Sequence, residues 1–78
     1  MTGDGREAAI RSAFATVTNR RPDVGVLLYD DLDSLEVLEL LEVLETDHQL
    51  VVPEDLTLEN LKSIDSLASV LVWKNGTQ

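Results

Sequence analysis

Apolar residues recur at Ile10, Ala13, Phe14 and Val17, the spacing of one helix face, while Arg6, Arg11 and Asn19 fall off it. A first helix is therefore expected from about Glu7 to Thr18. Asp4 with Glu7 three residues on has the spacing of an N-terminal capping pair. Asn19-Arg20-Arg21-Pro22 ends the helix, because proline biases the residue before it away from helical geometry. Residues 19–32 then form a connection long enough to be unusual in a compact domain, and such connections are often functional. Val26, Leu27, Leu28 and Tyr29 are too apolar to be fully solvated, so part of the connection is expected to pack on the core. A short buried strand at 26–29 is the competing reading, disfavoured because nothing else in the chain looks able to pair with it.

The second helix is expected to start with Asp33 or Ser34 as its cap and to run to about Asp47. Val37, Leu40, Leu41 and Leu44 form its core stripe, with Leu35 and Leu38 on another side near its start. Glu36, Glu39, Glu42 and Glu45 step by three, so they wind slowly around the helix as an acidic strip. Val51-Val52-Pro53 reads as an extended segment, and Thr57 as the cap of a short helix through Asn60 or Leu61. Ser63 caps a last helix, with Asp65 favourable to its dipole and Ile64, Leu67, Ala68 and Leu71 as its core face. With no credible sheet, the expected class is all-α: a small four-helix bundle of three main helices plus a short third one.

Composition narrows the chemistry. A chain of 78 residues is read as one small domain, a complete polypeptide with a modest core. It has no cysteine, which excludes disulfides and thiolate metal sites, and only Phe14, Tyr29 and Trp73 are aromatic. Without a signal peptide or a membrane-length apolar run, a cytoplasmic location is the default expectation. Fifteen acids against six basic residues give a net charge of −9. The six (Arg6, Arg11, Arg20, Arg21, Lys62, Lys74) all lie outside residues 22–61, which hold twelve acids. Nucleic acid and anionic membrane are therefore poor partners and basic protein surfaces good ones. A charge run is usually just a solvated face. Here the acids share a helix with leucines left off the core stripe, which favours a docking surface.

Ser34 sits where the chain turns into that helix, and a phosphate on it would lie against the free N–H groups of the first turn. Out of context, an ordinary helix cap is the bland reading of such a serine. The context is more specific. Asp33-Ser34-Leu35 opening the second helix, the acidic run Leu35 to Glu45, the extended Val51-Val52-Pro53 and a last helix follow in the order that resembles the acyl carrier protein family. The run from Pro53 to Ser63 looks most like stand-alone carriers of the D-alanyl and aminoacyl type. The resemblance covers about residues 5–72. It departs from the pattern at Asp31, where many carriers have glycine, and at His48, near where many place a buried aromatic.

What the resemblance implies is 4′-phosphopantetheine joined to the Ser34 hydroxyl through a phosphodiester, flanked by Asp33 and Leu35. A phosphopantetheinyl transferase would take it from coenzyme A. A chain without cysteine has no thiol of its own, and the cofactor would supply one for thioester chemistry. The expected partner contacts are Leu35, Glu36, Leu38, Glu39 and Glu42, meeting that transferase, an acyl- or aminoacyl-loading enzyme and a downstream acyltransferase or synthase. The chain would be a monomeric carrier and no enzyme, in specialised-metabolite (polyketide or nonribosomal-type) biosynthesis. A D-alanyl or fatty-acid carrier is the alternative within the family, and a non-covalent acidic adaptor the alternative from another class.

Three decoys are set aside. Asp65-Ser66-Leu67 repeats the motif without an acidic strip after it, so Ser66 is read as structural. His48 stands roughly 20 Å along the helix from Ser34, out of reach as a catalytic base. A calcium loop from Asp31 and Asp33 to Glu42 fails, because Leu35 holds a ligand position and Glu36 replaces the required glycine. Tyr29 is expected to pack on the core, with flanking the docking site as the alternative, and Trp73 to be a partly buried edge residue.

Overall fold

A computed structural model of the chain describes residues 5–22 and 27–74. The first helix, α1, spans Arg6–Thr18 and buries Ala9, Ile10, Ala13 and Phe14, the face that the spacing marks. Its N-cap is Gly5, at φ 85° and without a side-chain cap; Asp4, the expected capping residue, lies outside the described residues. The helix stops for a reason other than Pro22. Asn19 takes the left-handed conformation at φ 64° and donates its N–H to the Ala15 carbonyl at 2.8 Å.

Part of the expected loop is helical. One turn, α2, covers Leu28–Asp31, inserting Leu28 fully into the core with Leu32 just behind it. The expected packing of this segment is met, although by a helical turn; Val26 lies outside the described residues. The Tyr29 N–H donates to the Leu61 carbonyl at 3.2 Å and ties the turn to the second half of the chain.

The long helix α3 runs Ser34–Asp47, with Leu40 and Leu44 buried and Val37, Leu41 and Val43 packed against them. After it, Gln49 at φ 60° redirects the chain into a two-residue strand, β1, Leu50–Val51. A last helix, α4, covers Ile64–Ala68, and β2 follows at Val72–Trp73. The strands pair antiparallel, Leu50 opposite Trp73 and Val51 opposite Val72. The expected helical class holds in the main, and the expectation of no sheet is corrected: a two-stranded sheet joins the segment after α4 to the exit of α3.

The helix inventory also changes. The segment after Thr57 is a set of turns, with N–H groups of Asn60, Leu61 and Lys62 donating to carbonyls three residues back at 3.0–3.3 Å. Its capping is inverted, because Asn60 Oδ1 accepts from both the N–H and the hydroxyl of Thr57 at 3.0 and 3.1 Å. Among the described residues the helices are therefore two long ones and two of four and five residues, and the short early one precedes α3.

Ser63 caps α4 as expected, its hydroxyl oxygen accepting from the Ser66 N–H at 3.0 Å. Ile64, Leu67, Ala68 and Leu71 are all buried, and α1 packs on both α3 and α4. Two cations fasten the terminal segments: Arg6 Nη1 donates to the Leu71 carbonyl at 2.7 Å, and Lys74 Nζ to the Glu45 carbonyl at 2.9 Å. Trp73 is half-buried on the edge strand. Among the described residues no helix is long and apolar enough to cross a membrane.

Candidate functional site

Asp33 is the N-cap of α3, and it closes a full capping box. The Glu36 N–H donates to Asp33 Oδ1 at 2.8 Å, and the Asp33 N–H donates to Glu36 Oε1 at 3.1 Å. Ser34 is thereby relieved of the capping role and stands as the first helical residue, exposed to solvent. Its hydroxyl makes no hydrogen bond within the described residues. No intramolecular acceptor meets the N–H of Ser34 or Leu35 there either, so two amides of the first turn remain open beside that oxygen. The Glu36 N–H, in contrast, is already taken by Asp33.

Removing this box is expected to loosen the site. Asp33→Ala leaves the Glu36 N–H without its partner and costs about 1 kcal/mol of stability, the usual value of an N-cap. Urea denaturation followed by circular dichroism measures it, and an unchanged midpoint would mean that the cap does not hold the helix start.

Ser34 lies on the rim of an open groove of about 580 Å³, lined by Tyr29, Leu32, Asp33, Ser34, Val37, Leu38, Leu58 and Leu61. Three separate segments build it: the α2 turn, the start of α3 and the turns after Thr57. The Tyr29–Leu61 backbone bond holds the first of these to the last. Tyr29, expected to pack on the core rather than to flank the docking site, is 41 % exposed and forms part of the wall. Leu32, Leu58 and Leu61 are wall residues that no helix periodicity marks; the signal for Leu58 is a leucine within a polar turn with no core stripe to satisfy.

Leu35 and Leu38 stand out from the helix, 71 % and 62 % exposed. Glu39 and Glu42 are exposed beside them, whereas Glu36 is half-buried and folded back into the capping box. The acidic strip is thus uneven: Glu39 and Glu42 are the carboxylates most open to a partner.

The decoys sit elsewhere. Ser66 lies within α4, half-buried, accepting a hydrogen bond from the Ser63 hydroxyl at 3.1 Å while its own N–H is held by Ser63. His48 is the C-cap of α3, at the opposite end of the 14-residue helix from Ser34. Comparison with protein-family models, with curated proteins and with solved structures finds no match.

Proposed function

We propose that this chain is a carrier protein of the acyl carrier type, a small helical bundle that holds a biosynthetic intermediate through Ser34. One observation carries the reading. Asp33 does the capping, so the Ser34 hydroxyl has no structural task, and it is exposed at the helix entrance with two open amides alongside. Among the described serines and threonines only Ser12 shares that idleness.

The residues fit 4′-phosphopantetheine. A phosphodiester on Ser34 would find the amides of Ser34 and Leu35 and the positive end of α3. An arm leaving that point would meet the apolar wall of Tyr29, Leu32, Leu38, Leu58 and Leu61. When bound, the group supplies the thiol that a cysteine-free chain lacks. The chain's own contribution is presentation. Asp33 and Glu36 fix the helix start, Leu35 and Leu38 offer apolar contact, and Glu39 and Glu42 steer basic partners.

Burying each exposed leucine in an interface would contribute about 1.5–3 kcal/mol before association costs are subtracted. The acids act mainly on encounter rate, because exposed charges are screened beyond about 8 Å at physiological salt. Glu39→Lys is therefore expected to slow association with a loading enzyme severalfold and flatten its salt dependence. Glu36→Lys should also slow it, while additionally costing helix stability through the lost capping bond. Stopped-flow association rates at two salt concentrations measure both, and a rate unchanged in Glu39→Lys removes the strip from the docking step.

A specialised-metabolite pathway is the proposed setting, on the likeness of residues 53–63 to aminoacyl and D-alanyl carriers. The functional test is intact mass after incubation with coenzyme A and a promiscuous phosphopantetheinyl transferase. A gain of one phosphopantetheine supports the carrier; an unchanged mass favours a non-covalent acidic adaptor using the same helix.

A further inference from the structure

A second recess lies on the outer side of α1, about 370 Å³, lined by Arg11, Ser12, Ala15, Arg21 and Pro22. We infer that it binds a single phosphate monoester of a small molecule, held by the guanidinium groups of Arg11 and Arg21 and the hydroxyl of Ser12.

The fold builds this recess rather than leaving two arginines scattered. Asn19 ends α1 in the left-handed conformation and turns the chain. Thr18 holds the turn, its hydroxyl donating to the Phe14 carbonyl at 2.8 Å and accepting from the Arg20 N–H at 3.3 Å. Arg20 is occupied over the Phe14 ring, 5.4 Å from its centroid. The next residue, Arg21, is thereby returned to the same recess as Arg11, ten positions earlier in the chain.

The other basic side chains have internal work. Arg6 and Lys74 donate to backbone carbonyls, and Lys62 pairs with Glu59 at 3.8 Å. Arg11 and Arg21 have no carboxylate within 4.0 Å among the described residues, in a chain with fifteen acids. The Ser12 hydroxyl likewise makes no hydrogen bond there. Two planar donor forks and a free hydroxyl around one open space match the oxygens of a phosphate dianion. A polyanion such as nucleic acid would set each additional phosphate against a net charge of −9, whereas a lone monoester brings only its own two negative charges to the two arginines. The inference does not depend on the role of Ser34.

Titration of the ¹⁵N-labelled chain with glycerol 2-phosphate, followed by amide shifts, tests it. Saturable shifts at Ser12, Ala15 and Arg21 are expected, weakened about tenfold in each of Arg11→Gln and Arg21→Gln and unchanged in Lys62→Gln. Both arginines are exposed, so the variants should keep the wild-type spectrum elsewhere. Shifts matched by sodium chloride at equal ionic strength, equal affinity for acetate, or wild-type titration of either arginine variant would overturn the assignment.

Discussion

Ser34→Ala is expected to gain no mass from coenzyme A and a phosphopantetheinyl transferase, while Ser66→Ala gains one phosphopantetheine like the wild type. The two serines share the local sequence Asp-Ser-Leu, so a transferase reading only three residues would treat them alike. Their surroundings differ. Ser34 is exposed at the start of a 14-residue helix with acids and leucines presented beside it. Ser66 is half-buried inside a five-residue helix and hydrogen-bonded to Ser63. The loss in Ser34→Ala should be complete, because it removes the attacking oxygen. Folding should survive, since that hydroxyl bonds to nothing in the fold and alanine is favourable in helices. A circular dichroism spectrum and melt equal to wild type would therefore accompany a total loss of modification. Labelling of Ser34→Ala at another position would refute the assignment.

Phe14→Ala should bring the largest loss of stability. Phe14 is the largest fully buried side chain, and truncating a buried phenylalanine costs about 3–5 kcal/mol. A domain of this length has roughly 4–12 kcal/mol in hand, so one substitution removes a large part of the total. The cost includes the perch of Arg20, whose guanidinium lies over the ring. Leu38→Ala is the control. With its side chain mostly exposed, it should shift stability by no more than about 0.5 kcal/mol while weakening partner docking. Urea unfolding of both variants separates the cases: a midpoint for Phe14→Ala close to wild type would mean that the ring does not anchor α1 on its neighbours.

Long elements were legible in the sequence because periodicity needs length. The 13 residues of α1 and 14 of α3 give several repeats of the apolar spacing, and the capping residues Asp33 and Ser63 announce their helices by side-chain chemistry. Short elements carry no period. The α2 turn is four residues drawn from a continuous apolar run, and its helical form depends on Leu28 entering the core and on the Tyr29–Leu61 bond. The β1 and β2 strands are two residues each and pair across a separation that no local pattern records. Thr57 is legible as a cap, but the acceptor is the Asn60 side chain, a reversal set by the turn geometry.

The candidate site divides along the same line. Ser34, Leu35, Leu38 and the glutamates are neighbours in sequence, so one helix suffices to place them together. The groove beside Ser34 draws Tyr29, Leu32, Leu58 and Leu61 from two further segments, and only the folded chain assembles that wall. The split between Glu36 and the other acids was equally hidden, because it follows from the return bond of Glu36 to the Asp33 N–H.

A thiol count gives the most direct check, since the unmodified chain contains no cysteine and starts from zero. After incubation with coenzyme A and a promiscuous transferase, followed by removal of small molecules, one titratable thiol per chain is predicted. A count that stays at zero, for a chain verified as folded and an enzyme verified as active on another acceptor, would contradict the tethering role of Ser34.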